Sequence, residues 1–405
     1  MSRLLLALLL AACGGSDAQP LESVAPLSSA LPSDTDGMRV VSIAAGEQHS
    51  IAVLGDGSVW TWGNGSGGAL GRESTIDDYS IPVHVPGLTG LWADARTDRS
   101  YVYDGENLWT AGYNHDGGLG YGPTGEEPIF TSRPFSGLAQ LDAFGGHIVA
   151  RKADSTVWVW GDGRSGQLGN GTTPSVPQVE PLQVELLERI TTVSAGSGFS
   201  LALQDDGRLW AWGQNNYGTL GTTGISSSVS TTRTSESGAV SSSSAVARMF
   251  SAVPVAVMLD EPVMAMAGGG EHALAVLRDS TVWAWGRNQN GEVGQPDQSE
   301  TFLEPVQVPM LSGIVAVEAG SGYSLALQSD GTLWMWGGTS GMHGYDGPLH
   351  RPRRILRDVA AIEGGTTHAF AVKRDGTLYG WGLADVGQVG ADTEGWPPVP
   401  VRFDR

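Results

Sequence analysis

Cysteine and lysine are scarce in this chain of 405 residues. Cys13 is its only cysteine, so the chain cannot form an internal disulfide. Only Lys152 and Lys373 are lysines, and 43 acidic residues outnumber 23 basic ones, which gives a formal net charge of -20. Such a charge disfavours binding to nucleic acid or to anionic membranes, and it favours a basic partner and a soluble monomer.

Long apolar runs are also absent, since none approaches the roughly 20 residues that a membrane-spanning helix needs. The apolar run at residues 4–10 follows an arginine and precedes small residues, and this order predicts a secretory signal peptide over residues 1–12. Leu10-Ala11-Ala12-Cys13 resembles the lipobox of bacterial lipoproteins, which implies acylation of Cys13. We therefore expect a lipid-anchored protein of the cell envelope, or an extracellular one. Gly14 replaces the Asp that marks inner-membrane retention, which favours the outer membrane if the cell is Gram-negative.

Residues 13–38 are rich in Gly, Ser, Pro and Asp and contain few large apolar side chains. This composition cannot bury enough apolar surface to offset the entropy of ordering, so we expect a lipidated flexible tether. Within it, Asp34-Thr35-Asp36-Gly37 has a weak likeness to a calcium-binding loop but lacks the later ligands and the closing Glu. No calcium site is predicted there.

Glycine and tryptophan are abundant instead, and they are arranged in a repeat. An aromatic pair followed by glycine, W-x-W-G in its full form, occurs seven times, and successive glycines are 49, 49, 52, 73, 51 and 45 residues apart. These glycines are Gly63, Gly112, Gly161, Gly213, Gly286, Gly337 and Gly382. Each copy ends on a second glycine, usually eight residues downstream. A period of this length is typical of propellers and repeat arrays.

Each repeat contains strand signals. In the fourth repeat, residues 192–195, 199–203 and 208–212 are apolar segments separated by turns, and a Pro-Val-x-Val segment at residues 254–257 supplies a fourth. Asp-Gly or Asp-Ser turns between the second and third segments indicate hairpins. The sequence therefore predicts an all-β fold, a seven-bladed β-propeller of four-stranded antiparallel blades, over residues 39–405.

The sequence leaves two ways of closing this ring. In one, residues 398–401 complete blade 7 themselves. In the other, residues 40–44 pair with the C-terminal blade and latch the ring.

The copies share the order A-G-x-x-H-S-L-A-L, then D-G-x-L-W-x-W-G, then N-x-x-G-x-L-G, which in the first repeat occupies residues 45–53, 56–63 and 64–71. This order resembles the repeat of the regulator-of-chromosome-condensation propellers, and the resemblance covers about residues 39–405. It implies the same fold, and the relatives include nucleotide-exchange factors for small GTPases and a secreted inhibitor of β-lactamases. We do not expect exchange activity, because an exported chain would not meet a cytoplasmic GTPase.

Patterns that suggest a cofactor or a metal are better explained by the repeat. Gly63, Gly65 and Gly68 have the G-x-G-x-x-G spacing, but a strand follows instead of a helix, and similar glycine runs recur in seven copies. Histidines recur eleven residues before the aromatic pair, at His49, His147, His272 and His368. Other copies have Phe199, Tyr323 or Asp98 at that position, so we predict packing and hydrogen bonding there. No cofactor and no metal are predicted.

Positions where the repeat breaks down form the predicted contact surface, because function usually lies on loops. The second repeat is degenerate, the fourth carries a Ser- and Thr-rich insertion at about residues 222–246, and one further tryptophan lies outside the repeat. The candidate partner-binding residues are Trp92, Arg96, Arg99, Tyr101, Tyr121, Phe130, Arg233 and Trp396.

The resulting functional prediction is an interaction scaffold that binds a protein partner of basic character through rim loops. The recurring acids lie in hairpin turns and no nucleophile with a matching base stands out, so we do not expect an enzyme. Two alternatives stay open. One is a hydrolase or lyase with a site in the central channel, and the other is an inhibitor of a secreted enzyme.

Overall fold

The computed structural model describes residues 39–72, 78–122, 125–223, 225, 249–296, 300–338, 340–344, 349–391 and 395–403. These residues form seven sheets of four strands, and each sheet takes its strands consecutively from the chain. Blades 1 to 3 contain the strands β1 (Val40–Ala45), β2 (His49–Leu54), β3 (Ser58–Asn64) and β4 (Asp78–Thr89); β5 (Trp92–Arg96), β6 (Arg99–Tyr103), β7 (Asn107–Tyr113) and β8 (Glu126–Pro134); β9 (Leu138–Phe144), β10 (His147–Lys152), β11 (Val157–Gly161) and β12 (Gln178–Gln183).

Blades 4 to 7 follow the same plan. Their strands are β13 (Ile190–Ala195), β14 (Phe199–Gln204), β15 (Leu209–Gln214) and β16 (Phe250–Val257); β17 (Val263–Gly268), β18 (His272–Leu277), β19 (Val282–Arg287) and β20 (Thr301–Gln307); β21 (Ile314–Ala319), β22 (Tyr323–Gln328), β23 (Leu333–Gly337) and β24 (Leu349–Leu356); β25 (Val359–Gly364), β26 (His368–Lys373), β27 (Leu378–Gly382) and β28 (Val399–Pro400).

Neighbouring strands within each blade pair antiparallel, which confirms the predicted seven-bladed β-propeller of four-stranded blades. First strands are buried and contact the first strands of adjacent blades, whereas fourth strands are largely exposed. The first strand of each blade therefore lies beside the axis and the fourth lies outside. We call the face formed by loops after the first and third strands the upper face, and the opposite one the lower face.

The ring closes by packing of blade 7 against blade 1. β28 pairs with β27, and β1 pairs with β2, so no strand is exchanged between the two blades. A hydrogen bond of 2.7 Å joins His368 Nε2 to Ser50 Oγ across the closure. The Phe403 ring lies 5.7 Å from Trp60 and 6.0 Å from Trp62. Of the two closures that the sequence leaves open, the structure has the one in which the C-terminal segment completes blade 7.

The glycine of W-x-W-G is required by the backbone. In all seven blades its φ is positive, between 72° and 118°. At Gly161 an added Cβ would lie 2.3 Å from the carbonyl oxygen of Gly146. A side chain is excluded both by the left-handed conformation and by this close approach. The recurrent glycine therefore serves blade geometry, as predicted.

The core consists of seven apolar clusters, one at each junction between neighbouring blades. The second aromatic of the repeat lies in the cluster that its blade forms with the preceding blade. Six tryptophans at this position are fully buried, namely Trp62, Trp160, Trp212, Trp285, Trp336 and Trp381. At about 25 cal/mol per Å², burial of such a ring contributes roughly 4 to 6 kcal/mol. The six tryptophans at the second position are thus inter-blade core, as predicted. At the first position, five tryptophans are only partly buried at the edges of these clusters, namely Trp109, Trp158, Trp210, Trp283 and Trp334.

Several predicted segments depart from the repeat or fall outside the described residues. The insertion lies between β15 and β16 of blade 4, and residues 226–248 are outside the described ranges. The predicted signal peptide, lipidation site and tether, at residues 1–38, are outside them as well. A short helix, α1 (Ser340–His343), replaces the turn after β23 in blade 6, where the repeat is one residue short. None of the helices in the described ranges is long and apolar enough to cross a membrane.

Candidate functional site

The turn after the third strand of a blade, which we call its exit turn, offers a backbone carbonyl to the next blade. In blade 3, the Gln167 oxygen accepts hydrogen bonds from Trp212 Nε1 at 2.8 Å and from Ser200 Oγ at 3.0 Å, both in blade 4. The same carbonyl position accepts a bond from the next blade at six of the seven junctions. The six carbonyls belong to Ala69, Gly118, Gln167, Thr219, Glu292 and Gln388.

The remaining junction, between blades 6 and 7, lacks this bond. There α1 stands in place of the exit turn, and Trp381 Nε1 is buried without a hydrogen-bond partner among the described residues.

Four junctions also contain a hydrogen bond between a histidine and a serine. Nε2 of the histidine in one blade lies 2.7 to 3.0 Å from Oγ of a serine in the next, in the pairs His49–Ser100, His147–Ser200, His272–Ser324 and His368–Ser50. Where a blade has another residue at the histidine position, the next blade has no serine. These three pairs are Arg99–Ile148, Phe199–Ala273 and Tyr323–Ala369. The two positions are therefore matched across every junction.

A serine beside a histidine is also the geometry of a catalytic nucleophile and its base. Here the serine hydroxyl donates to the exit-turn carbonyl, so Nε2 must donate to Oγ, which is the reverse of a general base. The paired side chains are at most 1% exposed. Burial lowers the pKa of His147 to about 4 and that of His272 to about 3, so both are neutral at pH 7. The arrangement fits a structural clasp between blades.

The residue at the histidine position of blade 2 is Arg99. The sequence spacing predicts Asp98 there, and that prediction is wrong. Arg99 pairs with Gly112 as the histidine of blade 1 pairs with Gly63. The spacing misleads because the hairpin from the histidine position to the paired glycine is one residue shorter in blade 2, from Arg99 to Gly112, than in blade 1, from His49 to Gly63.

Arg99 joins blade 2 to blade 3 in place of a histidine. Its Nε donates to the Tyr113 carbonyl at 2.6 Å, and its Nη1 donates to the Gly145 carbonyl of blade 3 at 3.1 Å. Nη2 forms an ion pair with Asp116. Blade 2 departs from the repeat at this junction, where an arginine and not a histidine makes the contact with blade 3.

Charged side chains of the first strands surround the axis. Four carboxylates occupy the same register position and are at most 6% exposed, namely Asp94, Asp142, Glu318 and Glu363. Arg96 is 1% exposed and lies 4.9 Å from the Phe144 ring centroid. Burial raises the pKa of Tyr323 in blade 6 and lowers the pKa of His368 in blade 7. The positive charge of Arg96, which lies in blade 2, acts to lower both pKa values. The first strands therefore place a buried cluster of charged side chains around the axis. Throughout the described ranges, no group of three or more His, Cys, Asp or Glu side chains is arranged to hold a metal ion.

Two carboxylates lie in adjacent loops of the upper face beside the axis. Glu47 and Asp98 are each half-buried, and the Glu47 amide donates to the Thr97 carbonyl at 3.0 Å. Burial raises the pKa of Glu47, and repulsion by Asp98 raises it further. Burial also raises the pKa of Asp98, although Arg99 opposes the rise. A pair of this kind favours an approaching cation.

Four predicted contact residues are buried, so the predicted exposure is wrong for them. Trp92 is 6% exposed, Arg96 1%, Arg99 2% and Tyr101 0%. All four lie in β5 and β6, which are regular strands of blade 2. The Trp92 ring packs 5.4 Å from that of Tyr103. The unusual sequence of this segment reflects an altered junction with blade 3 and not a surface.

The other predicted contact residues that the structure describes are partly exposed. Tyr121 and Trp396 lie in loops of the upper face, whereas Phe130 lies on the outer strand β8. Tyr121 and Phe130 belong to blade 2, whereas Trp396 belongs to blade 7. The Phe130 ring covers Gly71, and the Trp396 ring covers Gly344. Tyr121 is held by its carbonyl, which accepts from Asn114 Nδ2 at 3.0 Å. Arg233 lies outside the described residues.

One exposed charge cluster has no counterpart among the sequence predictions. Arg351, Arg353 and Arg354 lie on β24, the outer strand of blade 6, and Arg357 follows it. A count of charge along the chain would have found them, since residues 349–357 contain four arginines and no acidic residue.

Comparison with known proteins agrees with this geometry. A family model for the RCC1-like domain matches residues 10–347. Protein pim1 of Schizosaccharomyces pombe is 30% identical over 347 residues, which cover 75% of this chain and 60% of pim1. The ultraviolet-B receptor UVR8 of Arabidopsis thaliana is 28% identical over 313 residues, which cover 74% of this chain and 65% of UVR8. The chain thus spans less than two thirds of each relative.

A solved structure shares the fold. The crystal structure of Prp20p from Saccharomyces cerevisiae superposes with a TM-score of 0.66 at 22% identity, and it covers 86% of this chain and 84% of Prp20p.

The histidine–serine clasps make stability depend on pH. With an ordinary pKa near 6.5, the unfolded His147 binds a proton below that pH, whereas the folded one, with a pKa of about 4, stays neutral. The unfolded state then binds more protons, so stability falls as pH decreases from about 6.5 towards 4. The double variant His147→Phe/Ser200→Ala copies the Phe199–Ala273 junction. Between about pH 7.5 and pH 5 the free energy of unfolding of the wild type should fall, and that of the double variant should fall by about 1 to 2 kcal/mol less. Urea unfolding followed by circular dichroism measures both values.

The control is Ser200→Ala alone, which keeps the buried histidine and therefore the pH dependence of the wild type. An unchanged slope of stability against pH in the double variant would contradict the clasp.

Proposed function

The chain belongs to the RCC1-like domain family, and we propose that it is a lipid-anchored protein of the cell envelope, since residues 10–13 resemble a lipobox. We propose further that it binds another protein through loops of the upper face. The observation that carries this proposal is the division between repeating and non-repeating residues. The recurring tryptophans, histidines, serines and glycines are accounted for by contacts between blades. Among the residues that depart from the repeat, Tyr121 and Trp396 are partly exposed in loops of the upper face.

Known relatives support a binding role. The study of the Prp20p structure describes its binding to Gsp1p and to histones. For this chain we propose a different partner in the cell envelope, and the charge of the upper face favours one that presents a basic side chain. A lysine or arginine between Glu47 and Asp98 would relieve the repulsion of two half-buried carboxylates.

We propose binding and not catalysis as the function. The serine–histidine pairs are buried and donate in the wrong direction for a general base. The charged residues on the axis are buried as well, which does not favour a substrate site in the channel at that level. Inhibition of a secreted enzyme would be one form of the proposed binding.

The binding proposal predicts that a partner can be captured on the upper face. The full chain should be expressed in cells and cross-linked at the membrane. One protein should then be captured reproducibly, and mass spectrometry identifies it. Tyr121→Ala should reduce this capture severalfold because it removes a partly exposed aromatic side chain from the upper face. Glu47→Gln/Asp98→Asn should reduce it as well, because the variant removes the charge that favours a basic group.

Met258→Ala is the matched control for this experiment, since Met258 is 78% exposed but lies on the lower face. Failure to capture any protein, or an equal loss of capture with the control, would contradict binding through the upper face.

The anchor proposal predicts that Cys13→Ala releases the protein from membranes. The wild type should fractionate with membranes and incorporate labelled palmitate, since a thioether-linked lipid supplies the buried hydrocarbon. The variant should appear in the soluble fraction without label. Membrane partitioning that Cys13→Ala leaves unchanged would contradict a lipid anchor at this residue.

A further inference from the structure

Large apolar side chains are exposed on the lower face, in loops that lead from the outer strand of one blade to the first strand of the next. Leu186 is 66% exposed, Met258 78% and Met310 66%, and they lie between blades 3 and 4, 4 and 5, and 5 and 6. Met264, at the lower end of β17, is 39% exposed. Every exposed methionine in the described ranges belongs to this set. We call these four side chains the lower apolar surface.

Each of the three loops holds its exposed residue near a leucine that packs inward. These leucines join the apolar cluster of their junction, namely Leu187, Leu259 and Leu311. Between blades 1 and 2, Gly87 precedes the buried Leu88 in the same way. A Cβ added at Gly87 would meet nothing within 4 Å. The leucine alone supplies the packing, so the fold does not require a large side chain before it.

Met310 holds its position in a strained backbone conformation. Its φ is 69°, in the left-handed region that glycine favours, and Gly87 has a φ of 77° at the corresponding place. Glycine at residue 310 would relieve the strain and would also remove an apolar side chain from water. Met310 therefore stabilises neither its loop nor the core. A strained residue that the fold does not need indicates a function.

Four unpaired carboxylates accompany the lower apolar surface. Two flank the exposed leucine and two follow the methionine between blades 4 and 5, namely Glu185, Glu188, Asp260 and Glu261. All four are exposed, and none forms an ion pair or a side-chain hydrogen bond within the part of the chain that the structure describes. Their charge is available to a partner, and it selects one that is basic as well as apolar.

We propose that the lower apolar surface docks an amphipathic helix of a partner protein, with apolar residues on one face and lysine or arginine beside them. Packed sheets lie about 10 Å apart, so equivalent loops of successive blades are separated by about that distance. A helix rises about 1.5 Å per residue, so residues seven apart share a face at a separation of about 10.5 Å. A helix of about 18 residues therefore reaches all three loops. Methionine suits this contact because its flexible side chain adapts to the helix surface.

A basic helix fits this surface better than a bilayer does. Insertion into lipid would strip water from the four carboxylates, and anionic lipid would repel them, whereas a basic helix pairs with them.

This docking is separate from the proposed function, since it uses the opposite face. Its failure would leave that function standing. Met258→Ala should weaken docking here and spare the capture of a protein on the upper face.

The test is fluorescence anisotropy with a labelled peptide of about 18 leucines and lysines, in which leucines recur every three or four positions so that one helix face is apolar. The full chain carries Cys13→Ala in every sample, so no detergent competes for the peptide. This chain should bind the peptide at least about fivefold more tightly than a scrambled peptide of the same composition. Met258→Ala/Met310→Ala should weaken binding by about tenfold.

Two further variants separate docking from folding and test the charge. Met310→Gly should weaken binding severalfold, yet its midpoint of thermal unfolding should be no lower than that of the parent, because glycine adopts the left-handed conformation without strain. Asp260→Asn/Glu261→Gln should also weaken binding severalfold, and this effect should shrink as salt rises from about 50 mM to about 300 mM.

Matched controls remove side chains of similar exposure elsewhere. Ile81→Ala/Leu91→Ala removes apolar side chains that are 53% and 62% exposed, and Glu126→Gln/Glu300→Gln removes two exposed carboxylates. Each control should change binding less than about twofold. Four results would overturn the proposal: no binding by the parent, equal binding of the scrambled peptide, an equal loss in the controls, or tighter binding to phosphatidylcholine vesicles than to the peptide.

Discussion

The rest of the structure depends on one contact, in which the exit turn of a blade offers a carbonyl to a tryptophan indole or a serine hydroxyl of the next. At the junction of blades 3 and 4 both groups meet the Gln167 oxygen. The same contact requires the second glycine of each repeat, since an added Cβ at Gly169 would lie 2.7 Å from Trp212 Nε1. A four-stranded blade cannot cover its own faces, so each blade depends on its neighbours. In the described residues, neighbours bury each other's apolar groups at all seven junctions, and six of these also have the exit-turn hydrogen bond.

The spacing of aromatic residues and glycines was enough to predict the blades, their number and the buried tryptophans, because each follows from a pattern within one repeat. What it missed lies between repeats. Arg99 is buried because Gly145 and Asp116 accept its hydrogen bonds, and no local pattern shows that. A hairpin of β6 and β7 that is one residue shorter also places Arg99, and not Asp98, at the histidine position. The departure of blade 2 from the repeat therefore predicts a contact surface where the side chains are in fact buried.

The matched pairs across junctions show how the ring tolerates change. A histidine is followed by a serine in the next blade, whereas Phe199 and Tyr323 are followed by alanine. A histidine such as His147 without its serine would leave a buried Nε2–H without that hydrogen bond, which costs about 1 to 3 kcal/mol. Substitutions at one position are therefore constrained by the neighbouring blade. This constraint leaves the loops of the upper face and the outer strands as the parts of the molecule free to specialise for a partner.

The central claim is that the repeating residues hold blades together, and urea unfolding of two alanine variants in one blade tests it most directly. Trp212 is fully buried between blades 3 and 4 and donates to Gln167, whereas Trp210 is partly exposed at the edge of the same cluster. Trp212→Ala should lower the free energy of unfolding by about 3 to 5 kcal/mol, and Trp210→Ala by less than half as much. Equal losses, or the larger loss at Trp210, would contradict the account.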